Sequence, residues 1–143
     1  MIARIATGLA AMLTAVTMIA TPANAAEAIT GRWITAERDA IVEIRPCGNA
    51  TCGTIARFLV PPPDGADQRD IYNPDPNLKT RRLLGLPILT QFREESDLWR
   101  GRIYDPKTGK SYRSVIRRTS ANTIEVRGCI GPFCQSQVWR RSR

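Results

Sequence analysis

The sequence contains no histidine among its 143 residues. Histidine is the usual general base of hydrolase triads and the commonest metal-ligating side chain, so its absence excludes most enzymes of those classes. No recognisable catalytic constellation takes its place. We therefore expect a protein that is not an enzyme and that carries no metal and no cofactor. The alternative is a histidine-free enzyme that uses the carboxylates of Asp70 or Asp75.

Long apolar runs are also absent, with one exception near the start of the chain. Residues 5–20 are apolar and follow Arg4, and Pro22 then breaks the run. Ala23 and Ala25 fit the small-x-small pattern of a signal-peptidase site. The run is short for a membrane anchor. We predict a cleaved export signal over 1–25, a periplasmic or secreted protein, and no membrane span after cleavage.

The remaining chain, 26–143, has 143 − 25 = 118 residues and a strongly basic charge balance. That length predicts a single domain. Loss of Arg4 takes the net charge from +8 to +7, which favours anionic partners. No long basic run occurs, and export makes nucleic acid a poor partner. We expect no nucleic-acid binding, and the sequence leaves the oligomeric state open.

The cysteines include no Cys-x-x-Cys redox motif, which leaves oxidoreductase chemistry unsupported. Cys47 and Cys52 flank one turn-like stretch, and Cys129 and Cys134 flank another. A four-residue hairpin turn would place each pair face to face, so we predict the disulfides 47–52 and 129–134. Crossed bridges would close longer loops and stabilise more in the chain-entropy model, and they remain open. A four-thiolate zinc site is disfavoured in an oxidising compartment.

No segment of the mature chain has an apolar stripe of helical spacing and length. Instead, short runs alternate apolar and polar residues with a period of two, which is typical of strands with one wet face. Turn residues separate these runs at intervals of roughly 8–12 residues. Such spacing is typical of a sandwich or an up-and-down barrel, and the fold class predicted is all-β, an antiparallel up-and-down barrel of about eight strands. The predicted strands are 31–35, 40–46, 53–60, 88–93, 98–104, 111–117, 123–128 and 135–141.

The segment 61–87 breaks this regular spacing. It is rich in proline, glycine and aspartate but also contains leucine, isoleucine and tyrosine. Long loops in compact domains are usually functional or disordered, and these apolar residues argue against disorder. We predict an ordered cap, or flap, packed on the barrel.

The ends of the domain resemble a known family of barrels. Gly31-Arg32-Trp33 opens the first strand, and Trp139-Arg140-Arg141 closes the last. This pairing is similar to the lipocalin and calycin barrels, and the resemblance implies that Trp33 seals one end while Arg141 packs across it.

A longer set of motifs resembles the bacterial domain-of-unknown-function family 2147. It implies an exported, lipocalin-like barrel and no particular activity. Arg82 departs from the proline usual after the arginine of the middle motif. The motifs, in chain order, are Cys47-Gly48 to Cys52-Gly53, Asn73-Pro74-Asp75-Pro76, Arg81 to Gly85, Trp99-Arg100-Gly101, Ile103-Tyr104-Asp105-Pro106, Gly109-Lys110-Ser111-Tyr112, Arg127-Gly128-Cys129 and Trp139-x-Arg141.

Candidate ligand-binding or cap residues fall into a polar and an aromatic group. The aspartates and the asparagine would form turns. Arg81 would either hold an anion or tie the flap to an aspartate. The aromatic residues would line a cavity or fill the core. We expect a barrel that binds a small apolar or amphipathic ligand. The alternative is a solid basic barrel that binds an envelope protein or an anionic envelope polymer. The candidates are Asp70, Tyr72, Asn73, Asp75, Arg81, Trp99, Tyr104 and Tyr112.

The alternative rests on exposed arginines, and it requires that they cluster on one face of the barrel. Those arginines are Arg32, Arg57, Arg100, Arg102, Arg113, Arg117 and Arg127.

Overall fold

The computed structural model describes residues 25–143 as a closed barrel of eight antiparallel strands. Each strand pairs with the next, and β1 closes the barrel against β8. This confirms the predicted up-and-down barrel. The strands are β1 Gly31–Ile34, β2 Ala40–Cys47, β3 Ala50–Phe58, β4 Pro87–Glu95, β5 Leu98–Asp105, β6 Lys110–Ser120, β7 Thr123–Ile130 and β8 Phe133–Arg141.

The predicted export signal (residues 1–25) lies outside the described residues, apart from its last residue, Ala25. Within residues 25–143, no helix has the length and apolar character needed to cross a membrane.

The alternating topology gives the barrel two different ends. The connections β1–β2, β3–β4, β5–β6 and β7–β8 all lie at one end, which we call the open end. The chain enters β1 and leaves β8 at the opposite, closed end. The period-two pattern holds inside: Val42 and Ile44 of β2, and Ile124 and Val126 of β7, are all buried.

Strand β4 departs from strict alternation. Leu89 and Phe92 are three residues apart, yet both are buried in the core. A bulge between them, with Gln91 at φ 59°, adds one residue and returns Phe92 to the inner face. Gly101 of β5 fits this bulge because a Cβ there would lie 2.6 Å from the Thr90 carbonyl oxygen.

The two local disulfides are confirmed, with Cα–Cα distances of 5.8 Å for 47–52 and 4.0 Å for 129–134. The four-residue turns are wrong, because both hairpins turn over two residues. Cys129 and Cys134 do lie directly opposite each other. Cys47 instead faces Ala50, so its bridge to Cys52 runs diagonally across the ladder.

The flap (residues 59–86) connects β3 to β4 and is ordered by its own hydrogen bonds. It contains two short 3-10 helices, Gly65–Asp67 and Pro76–Leu78. The Asp70 amide donates to the Arg81 carbonyl at 3.0 Å, and the Leu83 amide donates to the Gln68 carbonyl at 2.9 Å. Arg82, at the position that departs from the family motif, pairs through its guanidinium with Asp67 at 2.7 Å.

Candidate ligand-binding site

The closed end of the barrel is sealed by its N-terminal segment and two side chains. Trp33 is fully buried, and its indole nitrogen donates to the Ile29 carbonyl at 2.8 Å. The Arg141 guanidinium lies over the Trp33 ring, 4.5 Å from the ring centre. Both residues that the resemblance assigned to a barrel-end seal therefore lie together at this end. The neighbouring core includes the buried Phe92 and Trp139, so large side chains fill this end of the interior.

The open end contains a cavity of about 630 Å³ beneath the flap. It lies between the mouth of the barrel and the core, so the interior is filled at one end and open at the other. Most of its wall surface is apolar, and the polar side chains that also line it include Gln68, Lys107 and Gln137. Its apolar walls come from the inner strand faces and the flap: Ala40, Ile55, Phe58, Leu83 and Ile88.

A second cavity of about 460 Å³ adjoins the first. Tyr104 and Tyr112 line it, and Gln137 lines both cavities. Gln137 points inward from β8 in the same register as buried Trp139, yet it is solvent-exposed. An exposed residue on the inner face means that water reaches this part of the interior.

Gln137 has a fixed orientation in the cavity wall. Its Oε1 accepts a hydrogen bond from the Trp139 indole nitrogen at 3.1 Å. An indole nitrogen can only donate, so the amide oxygen must face Trp139 and the NH₂ group faces away. Within the described residues that NH₂ group has no hydrogen-bond partner, so the cavity presents a free donor.

A buried polar network fastens the flap to the barrel rim. Asp70 is 0% exposed, and one of its carboxylate oxygens accepts from Arg81 Nε and Nη2, both at 2.8 Å. The same oxygen accepts from Asn73 Nδ2 at 2.9 Å, and the other accepts from the Tyr104 hydroxyl at 2.5 Å. Burial and the bond to Asp70 raise the pKa of Tyr104. Arg81 thus neutralises an aspartate of its own flap, and its guanidinium lies 5.5 Å from the centre of the Tyr104 ring.

The flap also docks against the β5–β6 turn. Gly109, at φ 71°, packs so closely that a Cβ would lie 1.9 Å from the Tyr72 carbonyl oxygen. Only glycine permits this approach, so the turn and the flap fit as a matched pair.

An ion-pair bridge crosses the cavity mouth. Lys107 in the β5–β6 turn contacts Asp39 at 2.8 Å and also Glu37, both in the β1–β2 connection. Partial burial opposes ionisation of Asp39, but hydrogen bonds from Lys107 and Thr35 outweigh it and lower the Asp39 pKa. Partial burial of Lys107 likewise disfavours its charged form. The hydrogen bonds from Lys107 to Asp39 and Glu37 outweigh this effect and raise the Lys107 pKa. All four side chains line the larger cavity.

The predicted ligand and cap residues therefore divide among four places. Asp70, Asn73, Arg81 and Tyr104 form the network, while Tyr72 and Tyr112 line the cavities. Asp75 is exposed and accepts from the Asn77 amide, which is the turn-forming role. Trp99 lies near the closed end and lines neither cavity, and its indole nitrogen donates to the Glu27 carbonyl at 3.0 Å.

Sequence reasoning missed several cavity residues. Lys107 and Asp39 meet only because the topology brings two connections to one end. Gln137 did leave a signal, since Gln135 and Gln137 are polar residues in the inward register set by Trp139. Polar residues at inward positions of a barrel strand indicate a wet interior.

The arginines considered for a binding face are unevenly spread. Arg32 and Arg57 lie on β1 and β3, away from the others. The remaining five are exposed on three adjacent strands: Arg100, Arg102, Arg113, Arg117 and Arg127.

Comparison with known proteins agrees with this architecture. Residues 31–141 match the family described as "uncharacterized protein conserved in bacteria" (DUF2147). A similar solved structure is that of protein HP1028 from Helicobacter pylori, described as belonging to the lipocalin family. It is 20% identical, with a TM-score of 0.69 over 81% of this chain and 84% of that chain. No curated protein matched.

Proposed function

This chain belongs to the DUF2147 family and has a lipocalin-like barrel, and we propose that it binds a small apolar or amphipathic molecule in the cavity at the open end. The cavity itself carries the proposal. Its volume of about 630 Å³ falls in the range of sites that enclose one small molecule, roughly 300–1,000 Å³. Walls that are mainly apolar are typical of such sites.

The polar groups favour a ligand with a hydrogen-bond acceptor. The free NH₂ group of Gln137 lies in the cavity wall, and a carbonyl, ether or carboxylate oxygen would satisfy it. The apolar part of the ligand would then contact Ile55, Phe58 and Leu83. This arrangement supports an amphipathic molecule over a pure hydrocarbon.

Cavity-filling variants test the proposal with the apolar dye N-phenyl-1-naphthylamine. Ala40→Phe and Ile55→Trp place added volume in the cavity, and we expect each to weaken the fluorescence increase on dye binding by about tenfold or more. Val138→Phe is the matched control, because Val138 is 50% exposed on β8 and lines neither cavity. Equal dye binding by all four proteins, with unfolding curves confirming that each is folded, would rule out the cavity as the site.

Native mass spectrometry gives the complementary test. Protein purified from its own host should carry a bound small molecule that dissociates on gentle activation. Its loss in Ile55→Trp and retention in Val138→Phe would assign it to the cavity.

We propose further that the protein is exported and works in an oxidising compartment. Both disulfides support this, because such bonds persist mainly outside the cytoplasm. The predicted cleavage site adds a second argument. The Ala26 backbone nitrogen lies 2.7 Å from a Glu94 carboxylate oxygen, so cleavage after Ala25 would create an ammonium group beside that carboxylate. N-terminal sequencing of protein from the periplasmic fraction should begin at Ala26, and an uncleaved chain would contradict this.

The alternative function is a module that binds an envelope protein or an anionic polymer. It is favoured by the five exposed arginines on β5, β6 and β7. A polymer held by charge alone should release the protein at roughly 0.3 M salt or above, because screening shortens the range of charge interactions. Retention on an anionic column that persists at higher salt would argue against a purely electrostatic contact.

A further inference from the structure

The tip of the β7–β8 hairpin exposes two large apolar side chains. Ile130 is 69% exposed and Phe133 is 80% exposed, on either side of the turn Gly131-Pro132. The disulfide between the directly opposed Cys129 and Cys134 closes the ladder just below them. The tip is therefore held by a disulfide and a proline, and it presents its apolar pair on a rigid support.

This tip forms part of the rim of the cavities. Ile130 and Phe133 line the smaller cavity, which shares Gln137 with the larger one. On the flap side of the mouth, Ile71 and Tyr72 are 48% and 61% exposed and line the larger cavity. Exposed apolar side chains thus lie on both sides of the opening, where clustering of such groups marks an interaction surface.

Two arginines without carboxylate partners lie beside the tip. Arg102 of β5 faces Arg113 of β6, and Arg113 in turn faces Cys129 of β7. Like charges directly opposite each other in a sheet are destabilising. Within the described residues neither arginine forms an ion pair, although Arg113 donates to the Gly131 carbonyl and so holds its guanidinium at the hairpin tip.

The neighbouring arginines behave differently. Arg100 pairs with Glu95 at 2.8 Å, and Arg117 pairs with Asp97 at 3.2 Å. Arg127 pairs with Glu125 at 2.5 Å. Among the arginines of β5, β6 and β7, Arg102 and Arg113 are therefore the ones without an ion pair in the described part of the chain.

We propose that the open end of the barrel docks on an anionic phospholipid surface through this tip. Ile130 and Phe133 enter the boundary between headgroups and acyl chains, while Arg102 and Arg113 contact headgroup phosphates. An anionic polymer offers the arginines a partner but gives the apolar pair none. Docking in this orientation turns the cavity mouth toward the membrane. The tip residues line the smaller cavity, whereas the proposed ligand binds in the larger one, so this inference does not depend on that ligand.

Co-sedimentation with lipid vesicles tests the docking. The mature, disulfide-bonded protein should bind vesicles with about three parts phosphatidylglycerol to seven parts phosphatidylcholine, and should bind pure phosphatidylcholine far more weakly. Arg102→Gln and Arg113→Gln should each weaken binding about fivefold, since each basic residue near such a surface contributes about 1 kcal/mol. Phe133→Ser should weaken it about tenfold through lost apolar burial.

Matched controls separate this surface from general charge and hydrophobicity. Arg57→Gln removes an exposed arginine on β3, four strands away from β7, and Val138→Ser removes an exposed apolar group on β8 below the tip. Both should bind vesicles as the parent does. Equal binding to neutral and anionic vesicles, no binding to either, or tip variants that bind like the controls would overturn the proposal, and no binding to either would point to a protein partner.

Site-specific fluorescence gives an independent readout. Phe133→Trp should shift its emission to the blue on addition of the anionic vesicles and should be quenched by brominated acyl chains. Val138→Trp should do neither. Dye binding in the larger cavity should persist in Arg102→Gln and Arg113→Gln, which line neither cavity, so failure of the docking proposal and failure of the ligand proposal are distinguishable.

Discussion

The buried Asp70–Arg81 pair provides the sharpest test of how the flap is held. Its two partners differ in exposure: the Asp70 side chain is 0% exposed, and that of Arg81 is 36% exposed. Replacing Arg81 with glutamine leaves a buried carboxylate with only Asn73 and Tyr104 as side-chain donors. Replacing Asp70 with asparagine leaves an arginine that already reaches water. We therefore expect Arg81→Gln to destabilise the flap more than Asp70→Asn.

For Arg81→Gln, the expected destabilisation of the flap equals the cost of leaving a buried charge without its partner, which is about 3–5 kcal/mol. The lower end corresponds to more than a hundredfold increase in flap opening, at about tenfold for each 1.4 kcal/mol. For Asp70→Asn we expect a cost of about 1–3 kcal/mol, because hydrogen bonds weaken but no bare buried charge remains.

Hydrogen exchange measures this opening locally. The Asp70 and Leu83 amides bond across the flap, so their exchange should accelerate strongly in Arg81→Gln and less in Asp70→Asn. The amide of Val42, in the barrel core, should change far less, because the barrel does not need the flap network to remain closed. Unchanged flap exchange in Arg81→Gln, or a larger effect for Asp70→Asn, would refute the reasoning.

Three further predictions concern other parts of the barrel. Gly109→Ala should push the flap off the β5–β6 turn by a clash with Tyr72, and should speed exchange of flap amides without lowering core protection. The Lys107–Asp39 bridge should stabilise the fold most at neutral pH. Because folding lowers the Asp39 pKa, the stability contributed by the bridge is present above about pH 4 and is lost as pH falls through the Asp39 pKa of the folded protein. Lys107→Met should therefore reduce the dependence of the unfolding free energy on pH in the acid range. Phe92→Ala should lower the free energy of unfolding, measured with denaturant, by about 3–5 kcal/mol, because side chains fill the closed half of the interior. A loss below about 1 kcal/mol would mean that this half is not tightly packed.

The fold was largely predictable because its signals are local. Alternation of apolar and polar residues indicated which segments are strands, and regular turn spacing limited the architecture to a closed or sandwiched sheet. The β4 bulge lay beyond this reasoning. Leu89 and Phe92 break the period of two, and only pairing with β5 fixes where the extra residue goes.

The site was less predictable because its groups are distant in sequence. Asp70 and Tyr104 are 34 residues apart, and Lys107 lies 70 residues from Glu37. Turn chemistry accounts for Asp75, which caps its own short helix, and it gives no hint that Asp70 is buried. Trp99 looked like a cavity residue, but register places it near the closed end.

By itself, the sequence determined that this is an all-β protein of about eight strands, since strand period and turn residues act over a few neighbouring positions. It favoured local disulfides and an ordered flap, and only the structure decided barrel closure and the disulfide pairing. Tertiary structure alone decided which half of the interior is filled and which is open. It also decided that Asp70 and Arg81 neutralise each other, and that two unpaired arginines stand beside an apolar tip. These features depend on which side chains meet across the closed sheet, and that follows from strand register and closure rather than from any short stretch of chain.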